Sequence, residues 1–137
     1  LKYRDKGDEH LGIGDEIMKP TEIYAPLVEK LVSNIPVLAM AHITGGGLVE
    51  NVPRSLPKHL HAHIDYNSWT LPEIFSTIQS AGEIPEEEMK RVFNLGIGYT
   101  IVVPEEVVED AMYIIRAYDS LAHSTEAYVI GEVVDNS

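Results

Sequence analysis

The sequence contains no cysteine, which excludes disulfide bonds and thiolate metal sites and is consistent with a reducing compartment. Basic residues are scarce as well: 10 Lys and Arg stand against 22 Asp and Glu, and the formal net charge is −12. Binding to nucleic acid needs clustered Lys and Arg, so we expect no nucleic-acid partner. The sequence has no apolar run of the roughly 18 residues that a transmembrane helix needs and no signal-peptide pattern, so we expect no membrane partner.

What the sequence does contain is typical of a globular protein. Its 137 residues fit one domain with a single core, and 45% hydrophobic with 23% charged residues argue against disorder. The chain opens at Leu1 and continues with a strongly charged segment. We therefore expect residues 1–16 to be a linker or domain-boundary segment and residues 17–137 to form the domain.

The spacing of apolar residues predicts interleaved helices and strands. Val37–Ile43 is almost continuously apolar, which favours a central strand covered on both faces. The whole pattern predicts an α+β fold in which helices pack on a mixed, mainly antiparallel sheet. The predicted helices are Thr21–Ser33, Val49–Leu56, Leu71–Ala81, 85–93 and Pro104 to about Tyr118, and the predicted strands are Val37–Ile43, Leu60–Asp65, Tyr99–Val103 and Ala127–Val134.

A glycine-rich stretch follows the first predicted strand. His42 is near the end of that strand, and Thr44, Gly45, Gly46 and Gly47 precede the next helix. Consecutive backbone N–H groups at a helix start suit a phosphate or carboxylate, although the Gly-Lys-Ser/Thr ending of a P-loop is missing. A tight turn that lets strand and helix pack closely is the alternative. If the stretch binds a ligand, His42 is a candidate acid, base or hydrogen-bond donor beside it. If the stretch is only a tight turn, His42 simply caps the strand.

Two further features allow both a binding and a structural interpretation. The turn FNLGIG places Asn94 beside Gly96 and Gly98, but turns of this composition are mostly structural. Arg54 lies one or two helical turns beyond the glycines, where it either completes an anion site or pairs with Glu50 four residues earlier.

The segment KHLHAHID resembles a metal site at first sight. His59, His61, His63 and Asp65 share one face of a strand, because side chains alternate with a period of two. Neighbours at i and i+2 lie about 6–7 Å apart, which strains chelation of one ion by consecutive positions. A solvated polar face is therefore favoured, and we predict no physiological metal site here.

Four motifs occur together in this sequence: KPTEIY, AHITGGGLVENVPR, SWTLPEIF and FNLGIGYTIVV. In this order and spacing they resemble the C-terminal domain of the aminoimidazole ribonucleotide (AIR) synthetases, also called phosphoribosylformylglycinamidine cyclo-ligases. The resemblance extends from about Ile17 to Val134 and implies the α+β fold of that domain.

The resemblance also implies a function. These cytoplasmic enzymes of purine biosynthesis use ATP and Mg²⁺ to close the imidazole ring of formylglycinamidine ribonucleotide, a phosphorylated small molecule. They are two-domain homodimers with the substrate in the cleft between the halves. The N-terminal half supplies most of the ATP and magnesium site, and its motifs are absent from these residues. We therefore expect the isolated chain to be inactive.

Site residues follow from the same resemblance. His42 is implied as the catalytic residue; Asn94 and Gly96 are expected to face the same cleft as the glycine loop. Other ATP-dependent relatives of this architecture are alternatives: selenophosphate synthetase, thiamine-phosphate kinase, a hydrogenase-maturation protein and the pathway's amidotransferase. A stand-alone anion-binding domain without catalysis is the non-enzymatic alternative. The loop residues implied to line the substrate or its phosphate are Thr44, Gly45, Gly46, Gly47, Asn51 and Arg54.

Overall fold

The computed structural model describes Gly14, Met18 and residues 20–119 and 126–135. Apart from Gly14, the predicted boundary segment 1–16 lies outside the described residues. Helices and strands interleave along the chain, which confirms the α+β class. The elements are α1 (Ala25–Val32), β1 (Ala39–His42), α2 (Gly47–Arg54), β2 (Leu60–Ile64), α3 (Glu73–Gly82), α4 (Glu86–Val92), β3 (Tyr99–Val102), a 3₁₀ turn (Glu105–Val107), α5 (Val108–Asp119) and β4 (Gly131–Asp135).

The strands form two antiparallel pairs, β1 with β3 and β2 with β4. In the first pair His42 lies opposite Tyr99, and the N–H of Ile43 donates to the carbonyl of Gly98 at 2.9 Å. The end of β1 therefore meets the start of β3. As a result, the two glycine-rich turns, one after β1 and one before β3, lie at the same end of this strand pair.

Two apolar clusters hold the elements together. Helix α1 packs against α5, and α2 packs against α4 and β1. The indole of Trp69 belongs to the larger cluster and donates through Nε1–H to the carbonyl of Leu95 at 2.9 Å. The larger cluster contains Ile43, Leu48, Val52, Trp69, Met89, Leu95 and Ile97, and the smaller contains Leu27, Leu31, Ile35, Ala111 and Ile115.

The sequence predicted that both faces of the strand Val37–Ile43 are covered. This prediction is wrong for Leu38 and Met40. Leu38 and Met40 are 66% and 39% exposed, and burial alternates along β1. Among the described residues β1 has β3 as its only strand neighbour. The smaller cluster packs on Val37, on Ile101 within β3 and on Val103 just after β3, but it does not include Leu38 or Met40.

Several predicted boundaries shift for identifiable reasons. Helix α1 begins at Ala25 instead of Thr21, with Pro26 in its first turn. A start at Thr21 would place Pro26 in the helix interior, where it cannot donate and its ring clashes with the carbonyl four residues before. Helix α2 begins two residues earlier than predicted, at Gly47.

The later boundaries shift too. Helix α3 is not stopped by Gly82, which is its last residue; Glu83 follows in a left-handed conformation with φ 50°. A 3₁₀ turn precedes α5, and β4 begins only at Gly131, the residue opposite Ile64. Among the residues that the structure describes, no helix combines the length and apolar character that a membrane crossing requires.

Candidate functional site

Two of the three consecutive glycines have structural reasons to be glycine. Gly46 and Gly47 have φ values of 100° and 57°, a region that side chains with a Cβ rarely adopt. Gly47 is also buried, and a Cβ there would lie 2.7 Å from the carbonyl oxygen of Phe93 and even closer to that of Lys90. The tight-turn interpretation therefore accounts for Gly46 and Gly47.

Gly45 has no such reason. It is exposed, its φ lies outside the left-handed region, and a Cβ there would meet nothing within 4 Å. Neither backbone conformation nor packing within the described residues requires a glycine at this position. A ligand that approaches the backbone closely would require one.

Asn51 holds the glycine loop from inside. This side chain is buried, and its Nδ2 group donates to the carbonyl of Gly47 at 2.8 Å and to those of Thr44 and Gly45 at 3.3 Å. In a trans peptide the N–H points opposite to the C=O. Since the Thr44 and Gly45 carbonyls point toward Asn51, the N–H groups of Gly45 and Gly46 point away from it. The predicted site residue Asn51 thus orients the loop from beneath.

An ion pair lies beside the loop. Glu50 Oε2 accepts from Arg54 Nη2 at 2.8 Å, and the two side chains are 41% and 65% exposed. The same Oε2 lies 2.8 Å from where a Cβ of Gly46 would be. The pairing alternative for Arg54 is therefore the one observed. An anion at the loop would meet both a guanidinium and a carboxylate, which makes this edge of the site mixed in charge.

His42 is the last residue of β1, and its exposed side chain lies in a cluster with the rings of Tyr24 and Tyr99. The imidazole is 5.9 Å from the Tyr24 ring in an edge-on arrangement and 6.1 Å from the Tyr99 ring in a stacked one. Burial, and next the negative charge of Glu22, raise the pKa of Tyr24 above its ordinary value. Neither tyrosine was predicted as a site residue from the sequence. The signal available for Tyr99 was its position opposite His42 once β1 and β3 are paired.

The second glycine turn is held by its own hydrogen bonds. Asn94 Oδ1 accepts the N–H of Gly96 at 3.0 Å, and the carbonyl of Leu95 accepts from Trp69. Gly96 has φ 97°, and a Cβ there would lie 2.7 Å from the ring of Pro72. The structure brings this turn beside the first one, because Gly47 packs on the Phe93 carbonyl. The visible interactions of Asn94 and Gly96 are nevertheless structural, and their contact with substrate stays a prediction.

The histidine strand lies on the other strand pair. His61 and His63 are exposed on one face of β2, whereas His59 precedes the strand. Asp65 Oδ1 accepts the N–H of Asn67 at 2.9 Å and thereby caps a turn. Within the part of the chain that the structure describes, no three His, Asp or Glu side chains converge as metal ligands would.

The fold and the site together define an α+β domain that presents a histidine and a glycine loop at one end of an antiparallel strand pair. Residues 2–137 match the profile of the family described as AIR synthase related protein, C-terminal domain. The match covers nearly the whole sequence, so the chain belongs to this family, as the motifs predicted.

Curated relatives are similar over most of this chain. The phosphoribosylformylglycinamidine cyclo-ligase of Bacillus cytotoxicus is 44% identical over 131 residues, which are 96% of this chain and 36% of the relative. The enzyme of the same name from Bacillus subtilis is 43% identical over 121 residues, 88% of this chain and 34% of the relative. A bifunctional purine biosynthetic protein of Schizosaccharomyces pombe is 45% identical over 129 residues, 93% of this chain and 16% of the relative. The chain thus spans about a third or less of these relatives.

Proposed function

We propose that this chain is the C-terminal domain of an ATP-dependent phosphoribosylformylglycinamidine cyclo-ligase and forms one wall of its substrate cleft. The family membership and the names of the relatives support the activity. The observation that carries the site is Gly45: an exposed glycine with open space above it, between a histidine and a helix start. Such a position is suited to close contact between ligand and backbone.

The proposed reaction closes the imidazole ring of formylglycinamidine ribonucleotide. ATP transfers its γ-phosphoryl group to the formyl oxygen and leaves as ADP. The ribosyl-bearing nitrogen then attacks the formyl carbon and loses its proton. The formamide nitrogen also loses its proton and forms the C=N bond of the ring as the carbon–oxygen bond breaks to release inorganic phosphate. Catalysis of such a sequence rests on positioning and on stabilisation of the charge that develops on oxygen.

The described residues can contribute to both requirements. The N–H groups of Gly45 and Gly46 point away from Asn51 and are placed to hold an anionic oxygen of the substrate. Arg54 adds a positive charge beside the loop once its pairing with Glu50 is shared with a ligand. His42 supplies an exposed imidazole that can donate to the phosphorylated oxygen or accept the proton of the attacking nitrogen.

ATP and Mg²⁺ belong mainly to the remainder of the longer protein in this proposal. The described residues offer no group of three carboxylate or imidazole ligands for the cation. ATP supplies the phosphoryl group, while this chain's residues orient the ribonucleotide. A homodimer and a cytoplasmic location complete the proposal, as the resemblance implies.

The test replaces His42 in the full-length cyclo-ligase that carries this domain. His42→Ala is expected to lower kcat by roughly 10²- to 10⁴-fold, the usual contribution of a general acid or base. His63→Ala is the matched control, because His63 is also exposed at a strand but lies on the other strand pair. The isolated 137-residue chain is expected to show no ATP-dependent cyclisation. Wild-type kcat in His42→Ala would remove His42 from the mechanism, and turnover by the isolated chain would overturn the two-half assignment.

A further inference from the structure

Tyr24 connects the first helix to the candidate catalytic histidine. It is the N-cap of α1, the helix that packs against α5, yet its side chain makes no capping hydrogen bond. The ring instead contacts a side chain of each strand of the first pair, 5.1 Å from the ring of Tyr99 and 5.9 Å from the imidazole of His42. Its local role in the helix therefore does not explain where the side chain is placed.

The residue beneath Tyr24 is a glycine. A Cβ on Gly98 would lie 3.0 Å from Tyr24 Cζ and would collide with the Tyr24 hydroxyl oxygen. Gly98 has no φ in the left-handed region, so backbone conformation does not require a glycine there. The space that Tyr24 occupies does require one. Gly98 is also the residue whose carbonyl accepts the N–H of Ile43, directly after His42.

We propose that Tyr24 is a positioning residue for His42: its ring lies over Gly98 and holds the imidazole beside the start of the glycine loop. This inference rests on the proposed catalytic function of His42. Edge-on and offset ring contacts of this kind are directional, so they limit the orientations that an otherwise exposed histidine can adopt. Tyr24 and Gly98 act as one unit, because only glycine leaves room for the tyrosine.

Kinetics of the full-length protein test the positioning. Tyr24→Leu removes the ring and is expected to lower kcat about tenfold or more while KM changes little, since misplacement of a reacting group slows the chemical step. Tyr24→Phe keeps the ring and is expected to retain kcat within about twofold. Tyr113→Leu is the matched control, because Tyr113 is 74% exposed on α5. Equal kcat in Tyr24→Leu and wild type, with His42→Ala strongly impaired, would overturn the proposal.

A double-mutant cycle tests the pairing of Tyr24 with Gly98. Gly98→Ala is expected to lower kcat in the wild-type background because the new methyl group displaces the tyrosine. The same change is expected to have little further effect in Tyr24→Leu, whose side chain does not reach over position 98. Additive losses in the two single variants and the double variant would contradict the idea that they act as one unit.

A spectroscopic readout separates failure of this inference from failure of the proposed function. Histidines labelled with ¹³C in the full-length protein give a His42 signal that is assigned by its loss in His42→Ala. Tyr24→Leu is expected to shift that signal through the lost ring current, whereas Tyr24→Phe and Tyr113→Leu leave it nearly unchanged. If the signal shifts but His42→Ala is fully active, the proposed function fails and the contact stands. If the signal does not move, the positioning role is refuted whatever the activity.

Discussion

Replacement of Gly47 by alanine tests why the glycine loop can form. At φ 57° a Cβ costs about 1–2 kcal/mol. The methyl group would also lie 2.7 Å from the Phe93 carbonyl oxygen and closer still to that of Lys90, and insertion of a group into such a packed position costs about 1–3 kcal/mol. The loss of unfolded-state freedom returns about 0.4–1 kcal/mol. Together these ranges predict that Gly47→Ala lowers the free energy of unfolding by about 1–5 kcal/mol, a substantial part of the ~5–15 kcal/mol typical of a domain.

Urea unfolding of the 137-residue chain measures this loss, with fluorescence of the single tryptophan, Trp69, as the probe. Trp69 is buried in the larger cluster beside Leu95, so its emission reports on the packing that Gly47 joins. Gly45→Ala, two residues earlier in the same loop, is the matched control. Nothing lies within 4 Å of the new methyl group, so the stability should change by less than about 0.5 kcal/mol. Equal stability of Gly47→Ala and wild type, or equal losses in both variants, would refute the account of the loop.

Two further predictions concern the support of the loop and the pH dependence of stability. Asn51→Ala removes the side-chain donor that three loop carbonyls share and should cost about 1–3 kcal/mol. The N–H of Gly47, which donates to the Thr44 carbonyl at 3.0 Å, should then exchange its hydrogen faster, and unchanged exchange there would show that Asn51 does not hold the loop. A hydrogen bond from Arg91 lowers the pKa of Glu88 in the folded chain. A carboxyl group whose folded pKa is depressed stabilises the protein above its unfolded pKa, and this contribution disappears as the pH falls through the folded pKa. Glu88→Gln should therefore make the melting temperature fall less steeply as the pH is lowered into the acid range. An unchanged slope would contradict the stabilising role assigned to Glu88.

Patterns in the sequence predicted those features of the fold that depend on residues close together in the chain. The alternation in LHAHI gives β2 its exposed histidines and half-buried apolar residues, because a period of two is intrinsic to a strand. The apolar run at Val37–Ile43 was misleading, since apolar residues alone do not reveal which neighbours cover them. Leu38 and Met40 are exposed because burial alternates along this strand and, among the described residues, β1 has only β3 as a strand neighbour.

The candidate site likewise has a part that was predictable from the sequence and a part that was not. His42 and the glycine loop are adjacent in sequence, so their juxtaposition was predictable. What distinguishes Gly45 from Gly47 is the carbonyl end of α4, which reaches the loop only through tertiary packing. Tyr24 and Gly98 are far apart in the chain and meet only because tertiary packing places the start of α1 beside the β1–β3 pair. No local periodicity signals such a contact.

The most direct test of the proposal that the glycine loop is one wall of the substrate cleft uses Gly45→Ala in the full-length protein. The new methyl group meets nothing within the described chain, so the fold should be unaffected. If substrate lies against the loop, kcat/KM for formylglycinamidine ribonucleotide should fall about tenfold or more while the unfolding midpoint stays at the wild-type value. A wild-type kcat/KM in this folded variant would contradict the claim.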